Sequence, residues 1–369
     1  RPRLEVHAPD TVFDQAALDR IADELRRDLE GEVVPSAPAP SPRARCDTAL
    51  VGYLPALDEL ARRLGMEPAG AAEALERLFP GGEPRLVEIC HTPLGASGLV
   101  VVPIGADRLD AESPDDLASR AARGVRVARS HGANHVSLAG LLPARTGLGH
   151  LVARALDDPT GLSTGHAATV AAVAMNVERA LALAGRRLPE VRLALLGAGS
   201  IGQAALRLIG RALGVPREVV ICDLPSRLDA VRSFAALVAE ELGVRVDVVA
   251  APGGRAPEAV HEADLIVAAV SSPGAIEPDA LRPGAIVLDD SFPSCLDVWA
   301  AHRRMSSRAD VVVMGAGEVD VGPLERELVL PEVPEASRSV ILSALGGERL
   351  AGCRLESMLR AVEPGLGAP

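Results

Sequence analysis

The sequence predicts an α/β protein: a Rossmann-type doubly wound parallel sheet plus an α/β substrate domain completed by C-terminal helices. Three observations predict it. Short apolar segments alternate with helix-length amphipathic ones along most of the chain. The turn Gly197-Ala-Gly199-Ser-Ile-Gly202 lies between one such strand and one such helix. Asp223 then closes the next strand, 21 residues beyond Gly202.

The elements follow in order. Residues 12–30 carry apolar side chains at helical spacing, with Thr11 at the N-cap position, and 34–45 hold the prolines of a linker. Residues 48–54 read as a strand, 56–64 and 69–79 as helices, and 86–91 and 100–104 as strands. Ser113-Pro114 opens a helix to about residue 130, proline suiting its first turn. Residues 135–141 are a further strand, leading into the glycine-containing loop 146–149. A long Ala/Val/Leu helix from 163 to about 184 is apolar on all sides, which predicts burial between domains. Strands at 191–196, 218–222, 244–249, 264–270 and 285–288, with helices at 203–213 and 226–242, make the doubly wound sheet. The tail is read as helical over 337–345 and 348–361. The domain boundaries expected are 1–45 for the N-terminal helix and linker, 46–163 for the substrate domain, 164–310 for the dinucleotide-binding domain, and 311–369 for helices returning to the substrate domain.

Composition narrows the chemistry. A chain of 369 residues with 48% hydrophobic and 24% charged residues folds, and has room for about two domains. All 38 basic positions are arginine, so Schiff-base, P-loop-lysine and Tyr-x-x-x-Lys chemistry are excluded. A formal charge of −12 and 2% aromatics argue against nucleic-acid binding. No apolar run spans a membrane and no secretory leader is visible. Five dispersed cysteines, without a CxxC pair, suggest reduced thiols in a cytoplasmic protein and no metal site.

The glycine turn is where a nicotinamide dinucleotide is expected. Gly197 permits the tight turn, Gly199 lets the backbone approach a pyrophosphate, and Gly202 lets the helix pack on the strand. Ser200 and Ile201 complete the turn with these glycines, and the N-terminus of the helix that follows attracts the pyrophosphate. Asp223 is placed to accept hydrogen bonds from the adenosine ribose, which favours NAD(H) over NADP(H); Arg227, four residues on, is placed to meet a 2′-phosphate instead. Ser271 and Ser272, at the carboxyl end of a later strand, are candidate ring-side contacts.

Beyond these, several segments in one order resemble the cyanobacterial long-chain acyl-[acyl-carrier-protein] reductases, and more loosely the Rossmann half of glutamyl-tRNA reductases and shikimate dehydrogenases. They are Ala49–Asp58, Glu88-Ile-Cys-His-Thr-Pro93, Leu138-Ala-Gly-Leu141, Thr164-Gly-His-Ala-Ala-Thr169 and Asp289-Asp-Ser-Phe-Pro293. The resemblance covers about residues 49–362. It implies reduction of a fatty acyl thioester to an aldehyde, through a cysteine that takes the acyl group and NADPH that supplies hydride. This chain departs from the pattern at two points: Ser343 falls at the cysteine position, with Cys353 the nearest thiol, and the family lacks an acid equivalent to Asp223. Three readings stay open: an acyl-thioester reductase, an NAD-dependent dehydrogenase of a small alcohol, aldehyde or imine without a covalent intermediate, and a non-catalytic nucleotide-binding protein.

The catalytic candidates are His166, Ser343, Cys353, Cys295 and His150. Two of these are histidines, the residue type most often used for proton transfer near neutral pH. Cys295, Asp289 and Asp290 belong to the end of the 285–288 strand, the ligand side of such a sheet, and Cys90 is a further thiol, more simply structural. Arg120, Arg123, Arg126 and Arg129 recur every third residue; they form either a solvated helix face or a dock for an acidic acyl carrier protein. The substrate is otherwise a small molecule, and few aromatics suggest an aliphatic pocket.

Overall fold

The computed structural model describes residues 44–63, 67–330, 349–363 and 365–366. The helix expected at 12–30, nearly all of the linker, the 337–345 helix and Ser343 lie outside these residues. The chain divides into two compact units, one holding His166–Glu318 and the other holding the described residues up to Gly165 and from Val319 onward.

In the second of these, β1 (Thr48–Leu54), β2 (Arg85–Thr92), β3 (Gly95–Gly105), β4 (His135–Leu138) and β5 (Leu162–Ser163) form one sheet with the strand Glu325–Leu328. Its order is 325–328, β2, β3, β1, β4, β5. β1 pairs in parallel with β3 and β4, and β4 with β5, whereas β2 runs antiparallel to both its neighbours. The helix Pro114–Ser130 starts where Ser113 accepts a hydrogen bond from the Asp116 N–H. Its apolar side packs on this sheet around Val51, Val100 and Val102. Gly124, a weak residue for a helix interior, is there for contact: a Cβ would lie 2.9 Å from Val51 Cγ1.

The C-terminal segment is pinned to the same sheet by charge. Glu88, fully buried on β2, accepts from Arg326 at 3.0 Å and from Arg354 at 2.7 Å, and Arg354 also reaches the Ser97 hydroxyl and carbonyl. The expectation of helices alone beyond residue 310 is therefore corrected. Val312–Gly315 and Glu325–Leu328 are strands, because Val311-Val-Val-Met314 is an apolar run rich in β-branched residues and 325–328 adds to the edge of β2.

The His166–Glu318 unit holds β6 (Arg192–Leu196), β7 (Glu218–Asp223), β8 (Val246–Ala250), β9 (Leu265–Ala268), β10 (Ile286–Asp289) and β11 (Val312–Gly315). They are all parallel, in the order β11-β10-β9-β6-β7-β8. That is the doubly wound order, reversing between β6 and β9. Both sheet faces are apolar, so the strands are continuous hydrophobic runs. Leu193 and Leu195 of β6, Val219 and Ile221 of β7 and Leu265 and Val267 of β9 face one core. Ala194, Leu196, Val220, Cys222, Ile266 and Ala268 face the other. Helices Ser200–Leu213 and Leu228–Leu242 cover the first face, and Val298–Arg308 covers part of the second.

The helix His166–Leu183 packs on the first of these cores through Val170, Val173, Val177, Ala180 and Leu181. It is not buried all round as its composition predicted. Met175 is 60% and Leu183 49% exposed, so an apolar composition on every side does not mean a partner on every side.

Candidate functional site

The crevice at the carboxyl ends of β6 and β9 is built by glycines that admit no side chain. Gly197 has φ +92°, and a Cβ there would lie 2.5 Å from the Ala269 carbonyl oxygen. A Cβ on Gly202 would overlap the Gly197 carbonyl oxygen. Gly199 differs: its φ of −75° is ordinary and a Cβ would meet nothing within 4 Å. Its missing side chain leaves open space in front of the helix Ser200–Leu213, where the N–H groups of Ser200, Ile201 and Gly202 have no intrahelical acceptor. An open cradle at a helix N-terminus fits a dinucleotide pyrophosphate. The helix begins three residues earlier than the apolar pattern indicated, at the turn itself.

Asp223 ends β7 beside this turn. Its carboxylate accepts from the Ala198 N–H at 3.0 Å and from the Leu224 N–H at 2.7 Å. The Arg227 guanidinium stands 3.6 Å from it and donates to the Ala198 carbonyl at 3.2 Å. Each carboxylate oxygen retains a lone pair for a ribose hydroxyl. Acid and arginine thus occupy one corner together, the acid buried and the arginine half exposed.

Toward β9 and β10, Ser271 is exposed and Ser272 stands beside Gly254, in the loop after β8. Asp289 is consumed by its own turn, accepting from Ser291 N–H, Ser294 hydroxyl and Cys295 N–H at 2.7–3.0 Å. This corrects the reading of Cys295 as a nucleophile. The thiol is fully buried, and burial together with the Asp289 carboxylate pushes it well above its ordinary range, so no thiolate forms near neutral pH. Asp290, the next residue, has a different environment. Burial first and the Asp289 charge second push its carboxyl up to about 8, so it is a neutral acid at pH 7. Cys222 is core, with burial pushing its thiol up to about 12.

In the other unit, Cys353 is the one described cysteine that is not buried. It is the second residue of the helix Gly352–Val362, where the helix dipole favours negative charge. Its carbonyl accepts from the Ser137 hydroxyl at 2.6 Å. Gly165, with φ +73°, abuts it so closely that a Cβ would lie 2.6 Å from the Cys353 Cβ. Tyr53 borders the same spot: burial, with the nearby Cys353 charge adding, pushes its phenol up to about 12, and it accepts the Leu141 N–H at 3.0 Å. Gly140, at φ +53°, leaves room for that ring. The resemblance pointed to the Leu138–Leu141 and Thr164–Thr169 segments, but Tyr53 and Ser137 escaped the sequence reading because only packing across the sheet brings them to Cys353. Cys90 is buried, with its thiol raised by burial.

The remaining candidates lie elsewhere. His150 is exposed at the head of the short helix His150–Arg154, and His166 begins the helix His166–Leu183. The arginine stripe is not a free basic dock. Arg120 pairs with Glu112 and Arg123 with Glu83, while Arg126 donates to the Ala155 carbonyl and Arg129 to those of Asp158 and Thr160. The stripe fastens its helix to neighbouring loops. Among the described residues, no group of three or more His, Cys, Asp or Glu side chains is arranged to hold a metal ion, and no helix is long and apolar enough to cross a membrane.

No family model matches the sequence, and no curated protein matches it significantly. Solved structures with similar folds include an L-tryptophan dehydrogenase from Nostoc punctiforme, at 13% identity and TM-score 0.38 over 79% of this chain and 80% of that one. A shikimate 5-dehydrogenase from Listeria monocytogenes, solved with shikimate and NAD, gives 12% and 0.35 over 78% and 90%. A quinate dehydrogenase from Corynebacterium glutamicum, solved with NAD, gives 19% and 0.34 over 85% and 99%. The strand order and the glycine turn, rather than these remote likenesses, define the 166–318 unit as a Rossmann-type fold.

Proposed function

We propose that this chain is a nicotinamide-dependent oxidoreductase that reduces an acyl thioester to an aldehyde. The dinucleotide would be held by the Gly197–Gly202 turn, Asp223 and Arg227, with Asp223 favouring the unphosphorylated ribose and hence NAD(H). When bound in its reduced form, it supplies the hydride. The observation that carries the thioester reading is Cys353: of the described thiols it alone is accessible, and it sits at a helix N-terminus. Its thiolate attacks the carbonyl carbon of the substrate and expels the substrate's own thiol. The resulting enzyme thioester accepts hydride at that carbon, the C–S bond breaks, and aldehyde leaves with the Cys353 thiolate restored. Net, one thioester, one reduced nicotinamide and one proton give aldehyde, free thiol and oxidised nicotinamide. The role of a serine at position 343 is then not nucleophilic.

A second reading, redox of a small alcohol, aldehyde or imine without a covalent step, is favoured by Asp290, a proton-bearing acid in the Rossmann unit that needs no thiol. One assay separates the two. Acyl-coenzyme A and carrier-protein thioesters, aldehydes and alcohols are each incubated with reduced or oxidised NAD and NADP while nicotinamide absorbance and free thiol are followed together. Thioester reduction consumes NADH and releases thiol in equal amounts, and Cys353→Ser stops both. A nicotinamide change without thiol release, undiminished in C353S, establishes the second reading instead.

A further inference from the structure

Among the described residues, none pairs with the Asp290 carboxyl group. Its backbone N–H extends the ladder to the Ala268 carbonyl at 2.8 Å, so it stands level with the end of β9, one residue before Ala269, which abuts Gly197. Its Oδ1 fills the place a side chain on Gly317 would take, with Thr169 on the far side. Neither Gly317 nor any other described residue donates a hydrogen bond to its carboxyl group, whereas all the local donors converge on Asp289. Solvent reaches the residue only in part. It lies at the carboxyl end of β10, in the half of the sheet (β9 to β11) where a doubly wound fold holds its second mononucleotide.

The titratable groups of the surrounding elements are few. Asp289 and Cys295 belong to its own loop, and the Asp289 charge opposes ionisation of Asp290. Glu318 follows Gly317, and His166 lies one helical turn before Thr169 on the same helix face. The ends of β9 and its loop, Ala268 to Ser272, bring none.

A single carboxyl group, poised between neutral and ionised and without a donor among the described residues, responds to any charge placed beside it. The oxidised nicotinamide ring carries one positive charge and the reduced ring none. Resting on the dinucleotide reading above, we propose that Asp290 discriminates the redox states of the bound ring: it ionises to meet the oxidised ring, releasing one proton to solvent, and stays protonated beside the reduced ring. Only a proton moves in this step; the two-electron transfer is separate. The affinity for oxidised dinucleotide therefore rises with pH while that for the reduced form does not.

The test is calorimetric titration of the full chain with NAD+ and with NADH between about pH 6.5 and 9, each in two buffers of different ionisation enthalpy, repeated with NADP+ and NADPH. Proton release on binding NAD+, approaching one per site at the acid end, with an affinity that climbs up to about tenfold per pH unit below pH 8, is the expected result. NADH binds with no release and a flat profile, and Asp290→Asn abolishes the slope for NAD+. An infrared difference spectrum of the wild type, showing the protonated-carboxyl band lost with NAD+ and kept with NADH, gives the same answer if the variant does not fold. Equal proton release for both redox forms, or a slope that survives in folded D290N, overturns the proposal while leaving the dinucleotide reading intact. Absence of binding by all four dinucleotides overturns both.

Discussion

Each glycine of the turn at 197–202 does a separate job, and single substitutions distinguish them. Gly199→Ala adds a methyl group to open space, so its melting temperature stays within about 1 °C of wild type while dinucleotide affinity falls about tenfold or more. Gly202→Ala drives a methyl group into the Gly197 carbonyl and destabilises the fold itself by about 1–3 kcal/mol, read in thermal and urea unfolding. On the proposed dinucleotide site, Arg227→Ala should weaken NADPH more than NADH, by about 1.4 kcal/mol or tenfold, because there the guanidinium 3.6 Å from Asp223 would meet a 2′-phosphate. Among the described thiols, Cys353 alone is alkylated rapidly in the native protein, as intact mass and peptide mapping will show, since Cys46, Cys90, Cys222 and Cys295 are buried and raised by that burial.

At the scale of elements, the buried Glu88–Arg326–Arg354 network joins β2, the strand Glu325–Leu328 and the helix Gly352–Val362. Glu88→Ala removes the buried carboxylate that the Arg326 and Arg354 guanidinium groups share and should cost about 3–5 kcal/mol in urea unfolding. Because Cys353 precedes Arg354, the same loss loosens the turn that carries the thiol, so alkylation of Cys353 changes in E88A. Most strands of the two sheets were legible in the sequence where apolar residues ran together, as in Leu193–Leu196, whereas Val312–Gly315 was missed despite its apolar run. The edge strand Glu325–Leu328 was not legible, because Glu325-Arg-Glu-Leu has no apolar pattern and exists through pairing with β2.

For the whole molecule, Asp290 ties stability to pH. Its folded-state carboxyl lies at about 8 against an ordinary 3.8, so the protonated native state is favoured. The stabilisation this group contributes is complete below about pH 4 and is lost as pH rises through about 8. Wild-type melting temperature should therefore fall relative to that of Asp290→Asn between about pH 5 and 9, and parallel curves for the two proteins would refute the linkage.

The turn at 197, the acid at 223 and the alternation around them are local patterns, since strand period, glycine geometry and helix start are set by residues near in sequence. On that basis the Rossmann order and the glycine turn at its switch point could be read from the chain alone. The chemistry of the side chains could not. Whether a cysteine is Cys295, sealed beneath Asp289, or Cys353, open on a helix turn next to Gly165, depends on what distant segments bring against it. The same holds for two adjacent aspartates: backbone and hydroxyl donors converge on one, and packing withholds them from the other. Burial and hydrogen bonding are properties of the assembled fold, and they alone decided which of these groups carries a charge.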